Sequence, residues 1–412
     1  MKIIALQVAM ENNKIRSEFL SFHRPEIGEN EIREVIDTLK TGWITTGPKS
    51  KLFEEKFRDY VGSKYAVAVS SCTAGLHLAL VAAGIGPGDE VITTPYTFAA
   101  TGEVIIYVGA KPVFVDVERD SLNINPAEIR KAVTTKTKAI IPVHFAGLPC
   151  RMTEIMEIAH ENNLIVIEDA AHAFPAEYNG SKIGNIGHFT SFSFYATKNI
   201  TTGEGGMVTT NDLEFAEKIR ILSLHGLSRD AWKRYTTEGS WYYEIINSGY
   251  KYNMSDIQAA IGIHQLDKID SFQLKRENYV RKYNDGFKDL PEIIIPFQAK
   301  NTKHAWHLYV IQLNLDLLNI SRNEFIRELS DYNIGTSVHF IPLHLHPFYR
   351  KTFTFNGGFP NSEHAYKRVI SLPLFPGMNV EDVDYVISTI KKIVTRTRKN
   401  RGQHICLKGH ST

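Results

Sequence analysis

The sequence predicts an α/β protein built on a mostly parallel sheet, followed by a smaller α+β unit. Three observations predict it. From about residue 64, short apolar runs alternate with amphipathic helical stretches. The runs are continuously apolar, as strands covered on both faces are. Beyond about Gln265 the texture changes to longer charged helical patterns and loop-rich punctuation.

After an irregular start, Glu29–Lys40 reads as a helix, with Ile32, Val35, Ile36 and Leu39 at helical spacing. The expected strands are Ala66–Ser70, Glu90–Thr94, Val113–Asp116, Ala139–Val143, Leu164–Glu168, Ser191–Phe194 and Gly206–Thr210. Helical stretches Ala74–Ala83, Met152–Glu161 and Leu213–Leu224 lie among them. In the C-terminal part, Leu266–Leu290 is a long charged helical pattern and His307–Leu315 a strand. Arg322–Ser330 and Val380–Val394 read as helices, and Gly335–Pro342, Asn356–Pro360 and Leu372–Gly377 as loops. The expected division is a large domain over 41–265 and a small one over 266–394. Residues 1–40 are expected to pack with the small domain, and 395–412 form a basic tail. No internal repeat is evident.

With 412 residues the chain can bury a large core, and 43% hydrophobic against 22% charged residues is ordinary for a soluble protein. Its 47 Lys+Arg nearly balance 45 Asp+Glu, so nucleic acid is not an expected partner. Seven basic and no acidic residues fall between Lys391 and Thr412, a pattern that fits a solvated terminus. Cys72, Cys150 and Cys406 make an odd count without CxxC spacing, which suits a reduced, cytoplasmic compartment. Met1–Met10 is too short for a signal peptide. Tyr65–Gly88 lacks any Asp, Glu, Lys or Arg, yet its serines, glycines and Pro87 read better as a strand, a turn and a buried helix than as a membrane span.

Ligands of such sheets bind beyond the carboxyl ends of the strands. There the segment Ser191–Gly206 presents one lysine, Lys198, before a glycine-rich turn. Desolvation can lower such an amine's pKa and fit it to form a Schiff base; taken alone, the pattern also fits an exposed loop lysine before a hairpin. Glu168 and Asp169 follow directly on a buried strand, where an acid can meet a metal, a ribose hydroxyl or a protonated ring nitrogen, or simply cap a helix. Ser70–Leu76 turns from a strand into a helix through hydroxyl residues, which suits a phosphate. It is neither GxGxxG nor a P-loop. Tyr96 and Phe98 end the next strand, where an aromatic can stack on a planar ring or belong to the core. Each signal is ambiguous, but a phosphate cradle, a stacking ring, an acid and an isolated lysine at strand ends together match the needs of pyridoxal 5'-phosphate.

The sequence resembles the DegT/DnrJ/StrS family of sugar-nucleotide aminotransferases, with the fold type I architecture, from about Ser17 to Val394. The resemblance rests on Gly42–Pro48, Ser71–Leu76, Glu168–His172, Ser191–Gly206, Gly249–Met254 and Gly335–Phe340. It implies a seven-stranded sheet, Lys198 as the Schiff-base lysine and Asp169 as partner of the pyridine nitrogen. Thr73, Ala74 and the hydroxyl of Ser193 would hold the phosphate and Phe98 would stack on the ring. His172, where many members carry Gln, would lie near the phenolic oxygen. Asn253 would reach the phosphate from a neighbouring subunit, making a homodimer with shared active sites. Trp43, Thr45, Lys251 and His339 would line the substrate cleft.

The resemblance further implies glutamate as donor, released as 2-oxoglutarate, and a nucleotide-linked keto-sugar as acceptor. The His172 motif and His304–Leu308 look most similar to members that aminate UDP-4-keto-L-arabinose, while members acting on 4-keto-6-deoxy hexoses, or making perosamine from a GDP-sugar, share most of the same residues. Dehydratase relatives, which have usually replaced the lysine by histidine, and silent regulatory relatives are the alternatives; Lys198 opposes both. His304, His307, His339, His344 and His346 form a tempting metal set, but no acid accompanies them between Gly335 and Phe355, and no metal is expected. Met1–Arg16 and the residues from Arg396 onward depart from the family pattern.

Overall fold

The computed structural model describes residues 15–228, 242–355 and 357–399. The expectations for Met1–Met10 and for most of the basic tail lie outside the described residues.

Strands β1 (Tyr65–Val69), β2 (Glu90–Thr93), β3 (Lys111–Phe114), β4 (Thr137–Ile140) and β5 (Ile165–Asp169) come first. A small hairpin, β6 (Glu177–Tyr178) and β7 (Ser181–Lys182), separates them from β8 (Phe189–Ser193) and β9 (Gly206–Thr210). Apart from the hairpin, these strands form one seven-stranded sheet in the order β1-β9-β8-β5-β4-β2-β3. β9 alone opposes its neighbours, pairing Val208 with Val67 of β1 and with Ser191 of β8; the other pairings are parallel. The parallel strands therefore send their carboxyl ends to one edge, and Gly206 opens β9 at that same edge. The mostly parallel sheet follows the apolar runs, with β3 starting earlier than expected, at Lys111 opposite Glu90.

Several helices begin where a polar side chain closes a free N–H group. Ser71 Oγ accepts from Ala74 N–H at 3.0 Å and starts the helix Cys72–Ala82. That helix is buried on nearly every side, which accounts for the charge-free stretch around it. Among the described residues no helix is long and apolar enough to cross a membrane. Apolar packing fills both faces of the sheet, with Val69, Leu76 and Val208 in one cluster and Phe57, Phe192 and Met207 in another.

The long charged pattern is two helices, Asp256–Asp267 and Ile269–Phe287, with Lys268 as the cap residue shared between them. β10 (Ile293–Ile294) follows, then β11 (Thr302–Lys303), which extends the β6–β7 hairpin. β12 (Tyr309–Leu313) and β13 (Val369–Leu372) complete an antiparallel sheet with β10. Helices Arg322–Asp331 and Val380–Thr397, opened by capping boxes at Ser321/Glu324 and Asn379/Asp382, pack there with Ile269–Phe287 around Tyr283, Tyr309, Phe325 and Ile390. A smaller cluster of Tyr96, Phe145, Leu308 and Val369 joins the two sheets.

The N-terminal part divides its contacts. Leu20 bridges to Ile334 and Arg16 pairs with Asp382, both in the C-terminal unit. The helix Glu29–Thr41 instead lies on Asp256–Asp267 and inverts its expected polarity. Glu31 and Thr38 are buried, while Ile32, Ile36 and Leu39 are 45%, 45% and 54% exposed.

Candidate active site

At the carboxyl edge of the sheet, β5 ends on Asp169, which is 6% exposed. Its Oδ1 accepts from Ala171 N–H at 3.1 Å and its Oδ2 from the Thr101 hydroxyl at 2.7 Å. Lys198 follows β8, in a turn closed by its own N–H on Tyr195 O. Among the described residues its amine has no hydrogen-bond or ion-pair partner. Burial lowers that amine from 10.5 to about 8, against the opposing influence of Cys72 and Asp169. The amine is thus partly neutral near physiological pH, as a nucleophile must be.

Histidines surround it. Burial, and after it the positive charges of Lys198 and His339, hold His172 well below its ordinary range. His339 is lowered to about 4 by burial and by Lys198. His172 stacks on Phe340 at 5.8 Å and lies 4.4 Å from the ring of His307. His339 is fixed by Ser371 Oγ, 2.8 Å from its Nδ1.

Sequence reasoning missed several neighbours. His23 is lowered to about 3 by burial, then Arg276 and Lys198, which brings the N-terminal segment to the lysine. Cys72, at the start of its helix, directs its thiol to Ser191 O at 3.3 Å and lies 3.9 Å from Asp169 Oδ1; burial and Asp169 push the thiol well up. Thr101 is equally invisible in the sequence, because no local pattern marks a residue whose partner is distant in sequence; His307 is visible there only as a metal candidate and as part of His304–Leu308.

The remaining expected residues fall into two groups. Thr73 and Ala74 occupy the first turn of the helix Cys72–Ala82, beside the opening of β9, and Ser193 ends β8 opposite Gly206. Phe98 is the N-cap of helix Ala99–Tyr107 and is 65% exposed, its ring 6.4 Å from Phe340. The second group gathers around Thr46, and Asn253 bridges to Val69 at the end of β1, just before the Ser71–Ala74 turn. Trp43 Nε1 donates to Thr46 O at 3.0 Å, Thr45 O accepts from Asp256 N–H, and Asn253 Nδ2 donates to Thr46 Oγ1 at 2.7 Å. Lys251 is exposed and bridges to Leu224. Among the described residues, no hydrogen bond or ion pair joins Trp43, Thr45, Lys251 or Asn253 to Lys198 within one chain. His344 pairs with Glu363 at 3.1 Å and His304 stacks on Trp306. Among the described residues no His, Cys, Asp or Glu group gathers as a metal set.

The site fits pyridoxal phosphate on its own geometry. Ser71 Oγ takes the Ala74 N–H, leaving the first N–H groups of the helix without intrahelical acceptors at its positive end. A Cβ on Gly206 would stand 2.5 Å from the Ser71 carbonyl carbon and 2.7 Å from Cys72 N, so only glycine lets β9 approach that turn. The buried Nδ1 of His172 has no hydrogen-bond partner among the described residues and remains able to meet a polar ligand atom.

A mostly parallel seven-stranded sheet, a buried lysine without a partner among the described residues past one strand, and a buried carboxylate ending the neighbouring strand define a fold type I pyridoxal-phosphate enzyme. Residues 25–391 match the DegT/DnrJ/EryC1/StrS aminotransferase family. The chain belongs to that family and is a pyridoxal-phosphate-dependent aminotransferase. An uncharacterized protein of Methanocaldococcus jannaschii is 63% identical over 93% of this chain and 100% of its own. The spore coat polysaccharide biosynthesis protein SpsC of Bacillus subtilis is 53% identical over 92% of this chain and 98% of its own. Among solved structures, Spr1654 of Streptococcus pneumoniae, described as a sugar aminotransferase, superposes in its PLP form with TM-score 0.86 and 35% identity, covering 92% and 99% of the two chains.

Proposed function

We propose that the chain is a sugar aminotransferase of polysaccharide biosynthesis that moves an amino group from glutamate to a nucleotide-linked keto-sugar by a ping-pong mechanism, with a UDP-linked 4-keto sugar favoured. The observation that carries the transfer is the buried, partly neutral amine of Lys198, which has no hydrogen-bond or ion-pair partner among the described residues and feels the charge of Asp169. The sugar is supported by the descriptions of SpsC and Spr1654, both similar to this chain over more than nine-tenths of its length.

The cofactor, when bound, supplies an electron sink and a carrier for the amino group. The chain's residues do the rest. Lys198 would hold the cofactor covalently, and its amine, once released, would carry a proton between the nitrogen-bearing carbon of the substrate and the cofactor carbon next to that nitrogen. Asp169 faces the ring nitrogen and favours its proton. The first turn of helix Cys72–Ala82, through Thr73 and through the Ala74 N–H once Ser71 Oγ releases it, and the Ser193 hydroxyl would take the phosphate, while Phe98 would cover the ring. His172, kept neutral, offers a hydrogen bond to the phenolic oxygen. Trp43, Thr45, Lys251 and His339 line the cleft for the sugar nucleotide. Asn253 reaches a neighbouring subunit's phosphate, so the working unit is a cytoplasmic homodimer with shared sites.

The test is the visible spectrum of the purified protein before and after glutamate, without sugar. Conversion of the bound aldehyde cofactor to its amine form establishes the first half of the transfer. A band that glutamate leaves unchanged overturns the donor, and no band after added pyridoxal phosphate overturns the role of Lys198. Lys198→Ala should lose turnover by at least about a thousandfold while still binding the cofactor noncovalently.

A further inference from the structure

Thr101 lies inside helix Ala99–Tyr107, fully buried, and spends its one hydroxyl hydrogen on Asp169 Oδ2 at 2.7 Å. A hydroxyl has a single hydrogen and two lone pairs. The oxygen of Thr101 must therefore accept in its contact with Thr97, whose Oγ1 lies 2.8 Å away and is also buried. The relay has one direction: Thr97 donates to Thr101, and Thr101 donates to the carboxylate. Asp169 Oδ1 is taken by Ala171 N–H at 3.1 Å, so both oxygens are fixed from outside the strand. The backbone carrying the relay is itself anchored, since Thr101 N–H donates to Phe98 O at 3.3 Å and Tyr96 OH to His339 O at 2.7 Å.

We infer that Thr101 is a positioning residue for the transfer: its hydroxyl, aligned by Thr97, sets the rotamer in which Asp169 meets the ring nitrogen. The same helical turn begins at Phe98. One rigid element thus places the ring cover and aims the carboxylate, so the plane of the ring and the line of the hydrogen bond are set together. This inference rests on the reading that Asp169 serves the ring nitrogen.

The experiment compares the wild type with Thr101→Val, Thr101→Ser, Thr97→Val and Asp169→Asn, each loaded with pyridoxal phosphate labelled with nitrogen-15 in the ring. The readouts are the ring-nitrogen chemical shift, which reports its proton, the cofactor dissociation constant, and the separate kcat and KM. Thr101→Val should lose part of the protonated signal, bind cofactor about tenfold more weakly and lose about tenfold in kcat with KM little changed. Thr101→Ser should restore all three. Thr97→Val should shift them the same way by less, and it keeps the inference testable if Thr101→Val does not fold. A wild-type ring-nitrogen signal in Thr101→Val, or in Thr97→Val where Thr101→Val does not fold, overturns the inference. A protonated ring nitrogen in Asp169→Asn overturns the underlying reading of Asp169 instead.

Discussion

His144 Nε2 lies 2.9 Å from Glu168 Oε2, and neither side chain has any exposed surface. The pair sits on the opposite face of β5 from Asp169, because successive strand residues alternate. His144 Nδ1 accepts from Cys150 N–H at 3.0 Å, so its Nε2 carries the hydrogen and donates to Glu168. The other oxygen, Oε1, accepts from Gly187 N–H at 2.8 Å and from the Thr190 hydroxyl at 2.7 Å. All three partners are donors. Glu168→Gln presents an amide hydrogen to one of them, and should cost about 2–4 kcal/mol of stability, measured as a lowered urea midpoint of the apoprotein. An unchanged midpoint would refute this account of the pair.

The lowered amine of Lys198 has two consequences of fixed sign. Only the neutral amine is acylated, so the yield of acetylated Lys198 peptide from apoprotein should rise with a midpoint near 8. A midpoint at the ordinary lysine value of 10.5 would contradict it. Between about 8 and 10.5 the unfolded chain binds the proton that the folded chain has released, so the stability of the apoprotein rises with pH across that window. Lys198→Met should stabilise the apoprotein below pH 8 by about 2 kcal/mol, reduced from the full shift because the side chain keeps some exposure. That gain should fade as pH passes through the window. Denaturation curves at the two ends of the range decide it.

The strands and the acid-and-lysine pair were legible in the sequence because both signals are local. A parallel strand buried on both faces must be continuously apolar, and a charged residue directly after it must lie at the sheet edge. That contrast makes Glu168, Asp169 and Lys198 candidates, each ambiguous alone, and only their combination and the family resemblance single out Asp169 and Lys198. Thr101 does not stand out, since a threonine inside an apolar helix reads as packing until its partner from β5 is known. Arg276 misleads outright. It falls within a charged helical pattern that reads as a solvated face, yet it is 1% exposed. It donates to Trp306 O at 3.1 Å and Leu374 O at 2.8 Å. The contacts that bury it come from chain far downstream, and periodicity carries no information about them.

A shared active site makes a prediction that folding arguments cannot imitate. Lys198→Ala and Asn253→Ala homodimers should each be nearly inactive. Mixed, dissociated and reassociated, they form hybrids in which one site has both defects and the other has neither. Activity should recover to about a quarter of wild type, the share of intact sites in a random mixture. Absence of recovery, with hybrids demonstrated by mass, would place Asn253 in the site of its own subunit or outside the site altogether.

Glu31 gives the last prediction, and it concerns why a helix with an apolar stripe turns that stripe outward. Its carboxylate, 1% exposed, accepts from Lys268 Nζ at 2.5 Å and Gln265 Nε2 at 2.7 Å through Oε1, and from Gly28 N–H at 3.0 Å through Oε2. Burial pushes its pKa up, but the hydrogen bonds from Lys268 and Gln265 outweigh burial and the net direction is down. A carboxylate lowered on folding adds stability that is fully present above its unfolded value and is lost as pH falls through its folded value. Glu31→Gln should therefore be less stable than wild type at pH 7 by about 1–3 kcal/mol. The two proteins should converge in acid, once the wild-type carboxyl is protonated and resembles the amide. Unfolding midpoints measured from pH 7 to pH 3 test both limbs. A gap that stays constant in acid would mean that Glu31 acts through packing, and that the charge contacts of Lys268 do not hold this helix in place.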